Sequence, residues 1–215
     1  MSDNPSANVG PGRPKDLAKR QAILEAAKNL FLSNGYASTS MDAVAAEAGV
    51  SKLTVYSHFN DKETLFTAAV VAKCEEQLPT LIYELTPNAS VESVLLNIAR
   101  GFHQLINSDE SVNLHRLIMA LGNQDPKLSQ MFIEAGPERV LQGMERLLRR
   151  INELGTLHID KPRNAAEHFF CMLKGGANFR LLYGCGEPLR GAAAEEHVQE
   201  VVALFIRAYR PQEQA

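Results

Sequence analysis

The sequence has few cysteines, and none of them are grouped as a metal site requires. Cys74, Cys171 and Cys185 are the three in 215 residues, and they lie far apart. No CxxC pair or Cys/His cluster with zinc spacing occurs, which argues against a disulfide framework and a metal centre. We interpret the cysteines as reduced thiols of a cytoplasmic protein, with redox sensing as the alternative.

Long apolar runs are also missing. No uninterrupted stretch approaches the roughly 18 residues that a membrane-spanning helix needs. The first fifteen residues, MSDNPSANVGPGRPK, contain no apolar core of a secretory signal. Residues 1–15 are therefore predicted to be a flexible arm, and no contact with a membrane is expected.

Enzyme motifs are absent as well. The sequence contains no HExxH, no GxSxG and no phosphate-binding glycine loop. It also lacks a carboxylate and histidine at helical spacing with an obvious catalytic role. We therefore predict a protein that is not an enzyme and that needs no cofactor.

Charge of one sign does not dominate the sequence. The net charge is −3, but residues 1–62 carry a net +1 and the remainder −4. A mildly basic end on an acidic body is compatible with a small nucleic-acid contact surface joined to a domain with another task.

Apolar residues recur at helical spacing along almost the whole chain. Clear examples are predicted at 16–33, 90–107, 137–154 and 164–183. No alternating strand pattern of useful length is present. The pattern predicts an all-α fold of about nine helices.

The segment from Ser40 to Phe59, SMDAVAAEAGVSKLTVYSHF, has the pattern of two short helices around a tight turn. Ser40 and Ser51 are good N-cap residues, and Gly49 gives the turn its backbone freedom. The second helix carries hydroxyls, a lysine and a histidine on its outer side. This is the layout of a helix-turn-helix, whose second helix enters the DNA major groove.

The stretch from Ala26 to Phe66, AAKNLFLSNGYASTSMDAVAAEAGVSKLTVYSHFNDKETLF, resembles the DNA-binding domain of the TetR/AcrR family of bacterial transcriptional regulators. The resemblance includes Gly35-Tyr36, the Tyr56-x-x-Phe59 ending and Lys62-Glu63. It implies a three-helix helix-turn-helix domain at 16–75 and a larger helical domain at 76–215 for ligand binding and dimerisation. The helix containing Gly175-Gly176 weakly resembles the AefR-type branch of the family.

The resemblance also assigns residues to the contact with double-stranded operator DNA. Phosphate contacts fall on Ser40, Tyr56, His58 and Lys62, and base reading falls on Ser51, Lys52, Thr54 and Ser57. A serine or threonine in a helix is more often a cap or a solvated residue, and Lys62 could instead pair with a neighbouring acid. Leu53 either meets a thymine methyl group or packs inward, and the Arg13–Lys15 arm either enters the minor groove or remains solvated.

For the larger domain the resemblance implies a homodimer formed by two helices, 164–183 and 194–209. Gly175 and Gly176 would permit close helix approach there, although the same residues could serve packing inside one chain. Large adaptable side chains could line a pocket for a small molecule, while the alternative for each is plain core: Phe102, Leu105, Met119, Phe132, Met144, Phe170, Phe179 and Tyr183. His103, His115 and His168 could supply polar anchors.

Together these features predict a dimeric repressor that binds a palindromic operator and is released by a small-molecule inducer. The fourth helix, 61–74, would couple the two domains. A ligand-independent DNA-binding or architectural protein is the alternative, as is a cysteine-based redox sensor.

Overall fold

The computed structural model describes residues 13–77, 89–121 and 126–211, with the side chains of these ranges except 13–16, 74–77 and 121. Ten helical segments are described: α1 (Arg13–Ser38), α2 (Met41–Glu47), α3 (Lys52–His58), α4 (Lys62–Gln77), α5 (Val91–Ile106), α6 (Asp109–Leu121), α7 (Pro126–Ala135), α8 (Pro137–Glu153), α9 (Pro162–Leu182) and α10 (Gly191–Ala208). Gly136 alone separates α7 from α8. The described ranges contain no strand, and the predicted all-α class of about nine helices is confirmed.

Two predictions fall on parts that these ranges leave out. The arm predicted at 1–15 lies outside the described residues except for 13–15, whose backbone is helical at the start of α1 and so does not belong to a flexible arm; the side chain of Cys74 is also outside the described residues. Among the helices that are described, none has the length and apolar character needed to cross a membrane.

The chain divides into two compact units, one ending at Ala69 and the other beginning at Val70. The division falls within α4, so this helix continues from one unit into the next. The domain boundary predicted after residue 75 lies in the same helix.

The first unit packs α1, α2, α3 and the start of α4 around a small apolar core. The rings of Phe31, Tyr36 and Phe66 lie 5.1–5.8 Å apart between centroids. Beside them the buried Thr39 hydroxyl donates to the carbonyls of Leu30, at 3.0 Å, and Gly35, at 2.8 Å. Gly35 has φ 80° and ψ 166°, which interrupts α1 two residues after the end of the helix predicted at 16–33.

The second unit has its main core between α5, α8, α9 and α10. Its fully buried side chains come from all four helices: Leu95, Ile98, Met144, Leu148, Ile151, Phe169 and Phe205. Ser90 and Asn107 cap α5, as the predicted helix at 90–107 requires. α10 begins at Gly191, before the predicted start at 194, because Ala192 and Ala193 favour a helix without adding to the apolar pattern.

Gly175 divides α9 into two helical runs. Its φ of 52° and ψ of −171° lie in a region that only glycine adopts at low cost. The break frees the carbonyl of Leu173, which accepts a hydrogen bond from Nε2–H of His197 at 3.0 Å. The kink therefore lets a side chain of α10 bond directly to the backbone of α9.

Candidate DNA-binding site

Two serine caps fix the starts of α2 and α3. Ser40 Oγ accepts from the backbone N–H of Ala43, and Ser51 Oγ accepts from that of Thr54, both at 3.1 Å. Gly49 has φ 65° in the turn between the helices, a conformation that a side chain would strain. The predicted caps and turn residue thus occupy the places that the sequence pattern assigns to them.

Two buried side chains anchor α3. Val55 and Phe59 are almost completely buried, and the Arg20 guanidinium lies 5.1 Å from the centroid of the Phe59 ring. The opposite side of the helix faces solvent. Lys52, Tyr56 and Ser57 are exposed there, while Thr54 and His58 are half-buried.

Leu53 is 80% exposed, so the alternative in which it packs inward does not hold in this structure. Burying this side chain would release roughly 1.5–3 kcal/mol, which favours a contact surface over bare solvent at this position. A thymine methyl group is an apolar partner of suitable size in the major groove.

The hydroxyls predicted to read bases are bonded to one another and to the helix. Ser51 Oγ and Thr54 Oγ1 are 2.8 Å apart, and Ser57 Oγ donates to the Thr54 carbonyl at 2.7 Å. Each hydroxyl has one proton and two lone pairs, so Ser57, whose proton is already donated, can still accept from DNA, while the Ser51–Thr54 pair keeps one proton to donate outward. These bonds hold the side chains in place without removing their capacity to contact DNA.

Lys52 is paired across the turn with Asp42. Their closest atoms, Nζ and Oδ1, are 2.8 Å apart, and both side chains are largely exposed. The hydrogen bond to Asp42 raises the pKa of Lys52, so the ammonium stays charged. Any DNA contact made by Lys52 must compete with this carboxylate.

Lys62 lies at the start of α4 and turns back toward the end of α1. Its ammonium donates to the Ala37 carbonyl at 3.2 Å and sits 4.4 Å from the centroid of the Tyr36 ring. Burial lowers the pKa of Lys62. Asp61, next to it in the chain, caps α4 by accepting from the N–H of Thr64 at 2.7 Å.

The comparisons with known proteins match both units. The family model described as "Bacterial regulatory proteins, tetR family" matches residues 23–69, and the model described as "AefR-like transcriptional repressor, C-terminal domain" matches residues 93–211. The chain belongs to the TetR family. It is therefore a DNA-binding transcriptional regulator and not an enzyme, as predicted.

Individual TetR-family proteins resemble the chain over most of its length. A TetR-family chain from Mesorhizobium loti MAFF303099 is 31% identical, with 93% of this chain and 100% of that one covered and a TM-score of 0.77. The flavonoid-responsive regulator FrrA is 30% identical, with 91% and 98% covered and a TM-score of 0.74. The uncharacterized HTH-type regulator YfiR of Bacillus subtilis is 27% identical over 77% of this chain and 81% of its own length.

The side chains proposed for a ligand pocket are spread over the second unit. Four of them are buried in its interior and one is half-buried: Phe102, Phe132, Met144 and Phe170, and then Leu105. Met119, Phe179 and Tyr183 lie on the surface of this unit, with 53%, 61% and 70% of their area exposed. Their assignment to a ligand pocket stays a prediction.

A groove of about 510 Å³ does exist in this unit, between the end of α5 and the start of α10. It contains none of those eight side chains. His103 lines it, whereas His115 bonds to the carbonyl of Ser111 and His168 lies 3.3 Å from the Tyr209 hydroxyl. The sequence could not reveal this groove, because its two walls are about ninety residues apart in the chain and no local pattern joins them.

The remaining site predictions concern thiols and metals. Cys171 and Cys185 are exposed and free. Among the residues that the structure describes, no three His, Cys, Asp or Glu side chains are grouped as metal ligands.

Proposed function

We propose that this protein acts in the bacterial cytoplasm as a dimeric repressor, which binds a palindromic operator and is released by a small-molecule inducer. The exposed face of α3 carries the proposal. Lys52, Leu53 and Ser57 extend outward from a helix whose other side is fixed by Val55 and Phe59. Such a helix can enter the major groove as a rigid body.

The eight predicted residues take two roles in this proposal. Ser51, Lys52, Thr54 and Ser57 read base edges, with Leu53 against a thymine methyl group. The second set contacts phosphates and sets the register of the protein on the duplex: Ser40, Tyr56, His58 and Lys62. Lys62 would keep its hydrogen bond to the Ala37 carbonyl and use another N–H of its ammonium group to contact a phosphate.

The dimer would form through α9 and α10. Phe179 on α9, Tyr183 directly after this helix and Leu204 on α10 are large side chains that are exposed in a single chain. A second copy would cover them. Dimerisation also suits the DNA geometry, because two recognition helices must reach half-sites roughly 34–36 Å apart.

Selection of bound fragments from a random DNA pool tests the operator proposal. We expect a palindrome whose half-site centres are about one helical turn apart. K52A should weaken binding by about tenfold or more and relax the selected sequence, since one base contact is worth roughly 1–3 kcal/mol. K161A, an exposed lysine at the start of α9, is the control and should select the same site with equal affinity. A selection that returns no palindrome would contradict the dimeric reader.

Release by a ligand is supported by the similarity to FrrA, which is named for its response to flavonoids. The groove of about 510 Å³ is also large enough for a molecule of that size class. A nearly complete switch needs a ligand that favours one state by about 5.5 kcal/mol. α4 would transmit the change, since it continues from one unit into the other.

The ligand proposal is tested by measuring operator affinity in a panel of flavonoids and aromatic acids. At least one binder should lower the affinity. If every compound that binds the protein leaves operator affinity unchanged, the protein is a ligand-independent DNA binder. Loss of DNA binding after mild oxidation, restored by a reductant and absent in a C171S/C185S variant, would identify the redox alternative instead.

A further inference from the structure

The groove between α5 and α10 has a polar end that the proposed function leaves unused. We call it the α5–α10 groove, and its relevant lining residues are Arg100 and His103 on α5, Asp109 at the start of α6, and Leu189, Arg190 and Glu195 around the start of α10. Arg190 and the first turn of α10 lie on one wall, and His103 lies on the other. The question is which ligand chemistry this arrangement recognises.

His103 is 93% buried, yet it lines the groove. Its ring nitrogens make no hydrogen bond to any residue in the described ranges. Its ring contacts that of His197 at 5.9 Å between centroids, but His197 already donates to the Leu173 carbonyl. The ring nitrogens of His103 are not fully enclosed, so a molecule in the groove can reach them and form a hydrogen bond there.

The start of α10 offers further donors. Arg190 occupies the N-cap position, no side chain caps the helix, and the first turn holds no acidic residue. The first N–H groups of this 18-residue helix therefore have no side-chain acceptor. They carry the positive end of the helix dipole, and the exposed Arg190 side chain adds a full positive charge beside them.

The acidic residues of the groove do not cancel the positive charge at the start of α10. Arg100 holds Glu195 through hydrogen bonds from two of its nitrogens, with shortest distances of 2.6 Å from Nη2 and 3.0 Å from Nε. That contact holds the pKa of Glu195 near 2 and neutralises its charge with that of Arg100. Asp109 is the remaining carboxylate, and it belongs to α6 rather than to the α10 wall.

The rest of the lining is mixed: Gln104, Asn107 and Ser108 are polar, whereas Pro188, Leu189, Ala194 and Val198 form an apolar part. Leu189 precedes Arg190, and Val198 lies two turns into α10. A ligand that reaches from the start of α10 to Leu189 and Val198 would combine an anionic end with an apolar body.

We infer that the α5–α10 groove binds a small carboxylate, with its acidic group between the first turn of α10 and His103 and its apolar portion against Leu189 and Val198. Arg190 stabilises the carboxylate from the groove rim. The biological meaning of such binding rests on the proposed ligand response. The binding itself does not depend on DNA.

The test uses 3-phenylpropionate and its neutral amide, which have nearly the same shape. Binding to the free full-length protein is followed by NMR, using the imidazole signal that disappears in H103Q, and by titration calorimetry. We expect the carboxylate to bind in the millimolar range or better and to shift the His103 signal. The amide should bind at least about tenfold more weakly, since charge-assisted hydrogen bonds are worth more than neutral ones.

Variants separate the groove from other sites. R190Q should weaken carboxylate binding by about tenfold and leave the fold intact, because its side chain is exposed and makes no cap. H103Q should have a similar effect. R150Q and H158Q change exposed residues outside the groove and should bind as the original chain does.

Equal binding of acid and amide would overturn the inference, as would undiminished binding by R190Q and H103Q. Absence of carboxylate binding at about 10 mM would also overturn the inference, because the binding free energy would then be weaker than about 3 kcal/mol. None of these readouts involves DNA. Failure of the groove and failure of the operator proposal are thus distinguishable, since the latter is read only from selected DNA.

Discussion

Replacing Gly175 and Gly176 by alanine, one at a time, should change stability in opposite directions. Gly175 has φ 52° and ψ −171°, where a residue with a Cβ costs about 1–3 kcal/mol. The added Cβ would lie 3.5 Å from His197 Cε1, an ordinary contact, so the expected cost comes from the backbone and not from a clash. We therefore expect G175A to lower the free energy of unfolding by about 2 kcal/mol.

The chain could escape that strain only by straightening α9. A continuous helix would return the Leu173 carbonyl to the N–H of Ala177, and His197 would lose its hydrogen bond of 3.0 Å. That loss costs about 1 kcal/mol and leaves a second histidine without a partner beside His103. Straightening therefore offers little relief.

Gly176 is helical, and its added Cβ would lie 3.2 Å from Nη1 of Arg180, the movable end of an exposed side chain. G176A should raise the free energy of unfolding by about 0.5–1 kcal/mol, because alanine favours a helix more than glycine does. The neighbouring variants should then differ by roughly 3 kcal/mol.

Urea unfolding followed by circular dichroism measures this difference. The curves should be recorded at two protein concentrations, because the proposed dimer would make the midpoint depend on concentration. The slopes of the transitions should be alike, which shows that the midpoint reports stability. A G175A protein as stable as G176A would refute the account of the kink.

Three further results are expected. T39V should lower the free energy of unfolding by about 1–2 kcal/mol, measured by urea unfolding, because the half-buried carbonyls of Leu30 and Gly35 lose the one hydroxyl donor that they share. In a double-mutant cycle, E138Q and R163Q should show a coupling of no more than about 1 kcal/mol at pH 7, since their bidentate ion pair is about one-third exposed. The pKa of Glu138 is near 2 because Arg163 bonds to it, so the coupling should disappear as the pH falls from about 4.5 to 2. Burial lowers the pKa of both His103 and His115, so the unfolded chain binds more protons below about pH 6.5. The urea concentration at the unfolding midpoint should therefore decrease as the pH is lowered from 7.5 to about 5.5. In an H103Q/H115Q variant this midpoint should depend less on pH.

Local signals made much of the fold predictable from the sequence. Ser40, Ser51 and Ser90 each begin a helix because a side-chain oxygen next to an apolar pattern satisfies the first free N–H groups. Gly49 marks a turn because no other residue adopts its backbone angles as readily. These are properties of a few consecutive residues, and the sequence displays them directly.

Features that join distant parts of the chain could not be predicted in this way. Arg100 and Glu195 are 95 positions apart, and no pattern indicates that α5 and α10 form one groove. Side-chain size was a poor guide to burial, since Met144 is fully buried while Phe179 and Tyr183 are exposed. Which face of a helix turns inward depends on its neighbours, and their arrangement is a property of the tertiary structure.

The anchoring of α3 by Val55 and Phe59 has a consequence for how operator preference can change. Lys52, Leu53 and Ser57 contribute little to the stability of the helix, so substitutions there should cost within about 0.5 kcal/mol of folding free energy. Ser51 is less free to vary, because its hydroxyl also caps the helix. Duplicated copies of this gene could therefore diverge in the DNA they recognise at three adjustable positions while the scaffold stays unchanged.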